Sequence, residues 1–178
     1  MKRSRSVALV MMSASAIALS ACEEPQVDAA LFDSIQQCID NKDFSAEICE
    51  SNFVAAREQH AQVAPKYRSQ ADCEADFGGE QCETAPYRTE SGGSVFMPLM
   101  MGYMMGSMLG GRGGMAAQPL YRSADDPKSF RTADNKNVGG RTGVTKVARS
   151  ATARPSAKAS TVSRGGFGAR ARGFSAGG

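Results

Sequence analysis

The sequence DFSAEICE at residues 43–50 recurs as DFGGEQCE at residues 76–83, and this repeat organises the first half of the chain. Each copy contains one cysteine, and another cysteine lies a short way upstream of each copy. The four are Cys38, Cys49, Cys73 and Cys82. Four cysteines allow three pairings. The repeat favours two copies of one looped unit, in which each cysteine pairs with its own upstream neighbour.

The segment before the repeat has the form of a bacterial lipoprotein signal. A basic start (Lys2, Arg3, Arg5) precedes an apolar stretch, Val7–Leu19, that is shorter than the roughly 20 residues needed to span a bilayer as a helix. The stretch ends in Leu19-Ser20-Ala21-Cys22, which is typical of a lipobox. We expect cleavage before Cys22 and acylation of that residue, and two or three acyl chains make such an anchor effectively permanent. The alternative is an ordinary secretory signal with a chance cysteine.

This signal predicts an address in the cell envelope. Glu23, rather than an aspartate that would resemble an inner-membrane retention signal, follows the cysteine. We therefore expect the lipid to sit in the outer membrane, with the protein facing the periplasm. Disulfides form in such an oxidising compartment, so the bonds Cys38–Cys49 and Cys73–Cys82 are expected. Zinc is the rival interpretation, but no Cys-x2-Cys pair is present.

Local patterns around the cysteines predict helices. Asp28 is a possible N-cap for a helix whose apolar face carries Leu31, Ile35, Cys38 and Ile39. Ser45 is a possible N-cap for a helix that runs to about Gln62, before Pro65. Ser69 and Asp72 resemble a capping box before a short helix that stops at Gly78-Gly79. The predicted fold class is a small α-helical, disulfide-stapled module followed by a Met/Gly-rich segment and a long disordered tail.

Charge divides the chain along the same lines. Residues 23–90 contain 15 acidic and 5 basic residues, residues 91–111 carry no charge, and residues 118–178 contain 12 basic and 3 acidic residues. We therefore predict a signal at 1–21, an acidic helical module at 22–90, a Met/Gly-rich segment at 91–117 and a basic disordered tail at 118–178.

The Met/Gly-rich segment holds seven of the ten methionines. On a helix, Gly102, Gly106 and Gly110 would form a smooth stripe that lets another helix approach closely. The segment is expected to lie in the membrane interface or to form a homo-oligomer through that stripe. A buried helix docked on the acidic module, a copper(I) site of thioethers and a true membrane span are the alternatives.

The basic tail contains RGGFG at residues 164–168 and RGF at residues 172–174, which echo segments that bind RNA. Export argues against a nucleic-acid partner. Anionic envelope components, or the chain's own acidic module, fit the charge better, and such binding weakens with salt. A purely solubilising tail is the alternative.

Catalytic constellations are not evident in the sequence. His60 is the only histidine, and its place in the polar stretch Arg57-Glu58-Gln59-His60 predicts that it faces solvent. Neither a nucleophile elbow nor a phosphate-binding loop is present. No cofactor is expected. A carboxylate pair for hydrolysis would need a cleft that a module this small is not expected to form.

Several unusual motifs occur in a distinctive order. They are APKY at 64–67, the Cys73–Cys82 unit with DFG at 76–78, FMPLM at 96–100, GYMMG at 102–106, QPLY at 118–121 and TVSRGGFG at 161–168. With the lipobox, this order resembles the YgiB-like family of proteobacterial envelope proteins, across nearly the whole chain. The family's function is uncharacterised, so the resemblance implies no catalytic or binding residues.

These observations favour a non-enzymatic, lipid-anchored envelope protein with an interaction or structural role. Two other classes stay open: copper handling by the methionine cluster, and a small envelope hydrolase that uses carboxylates.

Overall fold

The structure, a computed structural model, describes residues 24–89, 91–106, 117–157 and Phe167. The strands in these ranges are β1 (Gln26–Phe32), β2 (Cys82–Arg88), β3 (Ser94–Pro98), β4 (Gly102–Gly106), β5 (Gln118–Ser123), β6 (Asp126–Thr132), β7 (Asn137–Gly139) and β8 (Gly143–Ala148). The helices are α1 (Ile35–Asp40), α2 (Ala46–Val63), α3 (Gln70–Phe77) and a 3-10 helix, Arg149–Thr152.

Six strands form one antiparallel sheet in the order β7-β6-β5-β4-β1-β8. The first strand is an interior strand of this sheet, because β1 pairs with β4 on one side and with β8 on the other. The sheet curls until β7 and β8, at the two ends of this order, contact each other. The N-terminal and C-terminal parts of the chain therefore share a single sheet.

Alternation along the strands gives the sheet two apolar faces. On the concave side, Leu31 of β1 packs with Met104 of β4 and with Phe130 of β6. On the convex side, Phe32 and Tyr103 pack beneath α1 and α2. Successive strand residues point to opposite faces, so a strand buried on both sides reads as a continuous apolar run. This explains why AALF at residues 29–32 lacks the polar alternation of a half-exposed strand.

The helices α2 and α3 begin and end where the sequence predicts. Ser45 caps α2 by accepting a hydrogen bond from the Ile48 N–H, and Ser69 caps α3 by accepting one from the Asp72 N–H. Helix α3 ends at Gly78, whose φ of 100° is unfavourable for residues with a side chain. These two capping predictions are confirmed.

A second, two-stranded sheet pairs β2 with β3 beside α3. The disulfide Cys73–Cys82 joins α3 to the start of β2, and Cys38–Cys49 joins α1 to α2. Both bonds have the predicted partners. All four sulfur-bearing side chains lie in apolar clusters or against them.

The predicted fold class, a small α-helical, disulfide-stapled module with a Met/Gly-rich segment and a long disordered tail, is wrong. The described part of the chain is mostly β-sheet with three α-helices. A helix was predicted to begin after its N-cap at Asp28, but residues 26–32 form β1, and the first helix starts only after its cap at Ser34. Burial of both faces of this segment outweighs its local helical pattern.

The Met/Gly-rich and basic segments are also folded where the structure describes them. Gly102 and Gly106 lie on strand β4 and not on a helix, while Gly110 lies outside the described residues. Residues 118–148 contribute β5 to β8, so this part of the basic segment is not a disordered tail. Residues 158–166 and 168–178 lie outside the described residues.

None of the helices in the described ranges is both long enough and apolar enough to cross a bilayer.

Candidate functional site

An open cleft of about 850 Å³ lies between the helices and the two sheets. The start of α1, one face of α2, strand β2 and the loop from β3 to β4 line it. Apolar side chains include Ile35, Phe53, Met97 and Leu99, whereas Asp33, Arg57, His60 and Glu83 bring polar groups to the cleft. Apolar walls with a few convergent polar groups are typical of binding sites.

His60 links the cleft to the core. Its Nδ1 lies 2.9 Å from the Tyr121 hydroxyl, and its Nε2 lies 3.3 Å from Glu83 Oε1. Since a carboxylate only accepts hydrogen bonds, Nε2 carries the proton and donates to Glu83, and Tyr121 donates to Nδ1 when His60 is neutral. Three residues from α2, β2 and β5 thus form one hydrogen-bonded chain.

Burial controls the protonation states of His60 and Tyr121. His60 is 7% exposed, and burial lowers the pKa of its imidazole, although the hydrogen bond to Glu83 opposes that shift. Tyr121 is fully buried, which raises the pKa of its hydroxyl well above the usual value. At neutral pH, therefore, both the imidazole and the phenol are uncharged. Both nitrogens of His60 already have partners, so neither is available as a base or ligand without breaking a hydrogen bond.

The charged groups lining the cleft have neighbours as well. Asp33 is paired with Arg122 at 3.2 Å, and Arg122 also lies over the ring of Phe130 at 4.2 Å. The Arg57 guanidinium lies 6.0 Å from the centre of the Phe53 ring. Asp33 and Glu83, the two carboxylates that line the cleft, are thus each engaged by a different partner. This arrangement differs from an acid and a base facing one scissile bond.

Three methionines, Met97, Met100 and Met101, line the same cleft. By contrast, Met104 and Met105 are 1% and 3% exposed and pack on the two faces of the main sheet. Among the described residues, no group of three or more His, Cys, Asp or Glu side chains is placed to hold a metal ion. Within the described residues, the soft metal ligands that line the cleft are therefore these three thioether sulfurs.

A second buried polar group, the carboxylate of Asp76, contacts the C-terminal part of the chain. Asp76 Oδ2 accepts a hydrogen bond from the Tyr67 hydroxyl at 2.9 Å and from the Phe167 N–H at 3.2 Å. The Phe167 ring is 3% exposed and lies 4.7 Å from the ring of Phe77, with Tyr121 also in contact. Phe167 belongs to the RGGFG motif, so the aromatic residue of that motif is a core residue.

The residues singled out from the sequence are placed as follows. The four cysteines form the two disulfides, away from the lining of the cleft. Gly102 lies against the Phe32 backbone within the main sheet, and Cys22 lies outside the described residues. The basic region also contacts the acidic one, through Arg122–Asp33 and Lys146–Asp28, each at 3.2 Å.

Sequence reasoning missed the role of His60, which was expected to face solvent. The polar stretch Arg57-Glu58-Gln59-His60 gave that expectation, yet His60 lies on the same side of α2 as the buried residues Ala56 and Val63. The spacing of four and then three residues was the available signal.

Comparison with known proteins identifies relatives across most of the chain. Residues 26–177 match the family model described as "Protein of unknown function (DUF1190)". A UPF0441 protein of Erwinia tasmaniensis is 40% identical over 168 residues, covering 84% of this chain and 74% of its own length. A UPF0441 protein of Pectobacterium atrosepticum is 37% identical over 185 residues, covering 93% of this chain and 81% of its own. No solved structure matches.

Proposed function

We propose that this chain, which belongs to the DUF1190 family of proteins of unknown function, is a lipid-anchored interaction protein of the cell envelope. The proposed role is non-enzymatic. In this proposal Cys22 carries the lipid, in the outer membrane. The folded domain faces the periplasm, and the central cleft binds the partner. The match also confirms the resemblance to the YgiB-like family, and it indicates no enzymatic family.

The proposal rests on the different roles of the five cysteines. Cys38, Cys49, Cys73 and Cys82 pair with one another in the folded domain, as expected in an oxidising compartment. Cys22 is the one that remains, and it stands at the end of a lipobox. A thiol left over from structural pairing, at the position where acylation occurs, supports lipid attachment as its role.

The test is metabolic labelling with a radioactive fatty acid. We expect the unaltered protein to be labelled and processed, and Cys22→Ser to abolish both the label and processing by the lipoprotein route. Ser20→Ala is the matched control, because it keeps a small residue in the lipobox and should leave labelling unchanged. Label on the Cys22→Ser protein would overturn the anchor.

A second candidate function, copper(I) binding, is favoured by one observation: Met97, Met100 and Met101 line one cleft. Thioethers are suited to soft copper(I), and these three can act without displacing His60 from its hydrogen bonds. Titration of the full chain with copper(I) against a competing chelator tests it. Met100→Leu with Met101→Leu should remove saturable binding, and Met104→Leu, on the concave side of the sheet, should not. Absence of saturable binding to the unaltered chain ends this candidate.

A further inference from the structure

The point where the chain enters the folded domain is fixed to the C-terminal half of the main sheet. The Glu24 carboxylate accepts a hydrogen bond from the Ser150 N–H at 2.6 Å, and the Pro25 carbonyl accepts one from the Arg149 N–H at 2.9 Å. Strand β1 then begins at Gln26, opposite Ala148. The first described residues are therefore part of the rigid domain and not a linker.

This attachment leaves almost no length for a tether. An extended chain advances at most about 3.6 Å per residue, so the two residues between a lipid on Cys22 and Glu24 can span no more than about 7 Å. If Cys22 carries the lipid, as proposed above, the domain is held directly at the headgroups. The end of the sheet nearest Glu24 is then the end that meets the membrane.

Strand directions identify what else lies at that end. Because β1 and β4 are antiparallel with Ala29 opposite Gly106, the chain leaves β4 at the end where β1 begins. The β6–β7 turn, residues 133–136, is at the same end, because Thr132 pairs with Leu120 near the start of β5. The 3-10 helix covers this end: Ala151 is 1% exposed, and its carbonyl accepts a hydrogen bond from Gln118.

Three basic side chains are exposed at this end, those of Lys136, Arg149 and Arg154. The acidic side chains of Glu24 and Asp134 lie there as well, and Glu58 of α2 lines one pocket with Arg154. The Ser150 hydrogen bonds, with a smaller contribution from nearby Lys136, lower the pKa of the Glu24 carboxyl, so Glu24 is ionised and already engaged. Basic residues near an anionic bilayer surface are each worth about 1 kcal/mol of binding, or about fivefold in partitioning.

We propose that this end of the main sheet, formed by Pro25–Gln26, the turn at 133–136 and the 3-10 helix, lies against anionic lipid headgroups, with Lys136, Arg149 and Arg154 in contact with them. The inference rests on the proposed lipidation of Cys22. Its consequence is an orientation: the opposite end of the sheet, with the β5–β6 turn, points away from the membrane.

The chain has no tryptophan, so a single introduced tryptophan reports position without background. Ala153 and Ala124 are both exposed alanines, the first beside the 3-10 helix and the second in the β5–β6 turn. In the lipidated full chain, reconstituted into phosphatidylglycerol vesicles with brominated acyl chains, Ala153→Trp should be strongly quenched and Ala124→Trp should not. Equal quenching, or the reverse order, overturns the orientation.

Neutralisation of the three basic residues tests the contacts themselves. In the Cys22→Ser protein, which keeps the same signal segment in every variant compared, replacement of Lys136, Arg149 and Arg154 by glutamine should weaken the salt-sensitive part of partitioning into anionic vesicles by about 100-fold at low salt. The same replacement at three basic residues exposed elsewhere, Arg88, Lys128 and Arg141, should change it far less. An equal loss in both sets overturns the contact assignment.

Different results would contradict the lipid anchor at Cys22 and the orientation of the domain. If mass spectrometry of the unaltered protein shows no acyl group on Cys22, the lipid anchor and this orientation both fall. If Cys22 is acylated but Ala153→Trp is unquenched, the orientation alone falls and the anchor stands.

Discussion

His60 is the only histidine, so its titration can be followed alone. Burial lowers the pKa of the folded imidazole, and the unfolded chain therefore binds more protons between that pKa and the ordinary value of 6.5. Stability contributed by neutral His60 is fully present above about pH 6.5 and is lost as the pH falls through the folded pKa. Urea unfolding at several pH values should show this decline.

The control for this prediction is His60→Gln, which keeps a polar side chain but does not titrate. Its stability should vary less than that of the unaltered protein between pH 7.5 and pH 5.5. Carboxylates titrate in both proteins, so their contribution to the pH dependence of stability cancels when the two proteins are compared. A proton NMR titration of the His60 ring that gave a pKa above 6.5 would contradict the sign.

The Phe167 side chain links the C-terminal part of the chain to the core. Its ring is buried between Phe77 and Tyr121, and its N–H is bonded to Asp76. Phe167→Ala should lower the free energy of unfolding by about 3 kcal/mol, as measured by urea denaturation. Val54→Ala, at a position that is 53% exposed, should change it by no more than about 0.5 kcal/mol. Equal stability of Phe167→Ala and the unaltered protein would show that the ring does not pack as described.

Replacement of Gly102 tests whether the glycines of β4 serve packing or self-association. A Cβ at Gly102 would lie 2.7 Å from the Phe32 carbonyl oxygen and 3.1 Å from Phe130, so the backbone must shift. Gly102→Ala should destabilise the fold by about 1–3 kcal/mol. Gly79→Ala is the control, since nothing lies within 4 Å of its Cβ.

The comparison is made by thermal unfolding and by size-exclusion chromatography. A change in oligomeric state without loss of stability would favour the earlier expectation of a self-associating stripe. Loss of stability with an unchanged elution volume supports the packing role.

The disulfide Cys73–Cys82 closes a short loop between α3 and β2. Replacement of both cysteines by alanine should lower the free energy of unfolding by about 3 kcal/mol in the chain-entropy model, measured by urea denaturation under oxidising conditions. The same double replacement measured against reduced, unaltered protein should show a much smaller difference. A difference that persists after reduction would assign the loss to packing of the side chains.

Elements that depend on local interactions could be predicted from the sequence, whereas elements that depend on distant contacts could not. The caps at Ser45 and Ser69 and the two disulfides are local, and the sequence predicts each of them. Strands β1 and β4 were missed because their partners are far away: Ala29 pairs with Gly106 and with Thr145. Glycine and methionine at 102–106 give no β pattern of their own, and burial on both faces decides the strand. The cleft was missed for the same reason, since α1, α2, β2 and the β3–β4 loop create it together.

For the whole molecule, the described basic segment belongs to the fold. Truncation before Gln118 removes four of the six strands of the main sheet and should give an unfolded chain by far-UV circular dichroism. Truncation after residue 157 removes Phe167 but no described strand, so it should leave a folded but less stable protein. An intact sheet after the longer truncation would contradict the described topology.

The position of β1 has a consequence for the order in which the molecule can assemble. Gln26 emerges early from a ribosome or a translocation channel, yet it pairs with Ala148, and β1 needs both β4 and β8 as neighbours. Contacts this distant along the chain form slowly, because a long loop must close first. A nascent chain therefore lacks the strand that would complete its sheet until almost all of it has been synthesised. Under the proposed export, this delay would keep the polypeptide unfolded enough to pass through the channel, and folding would finish on the far side.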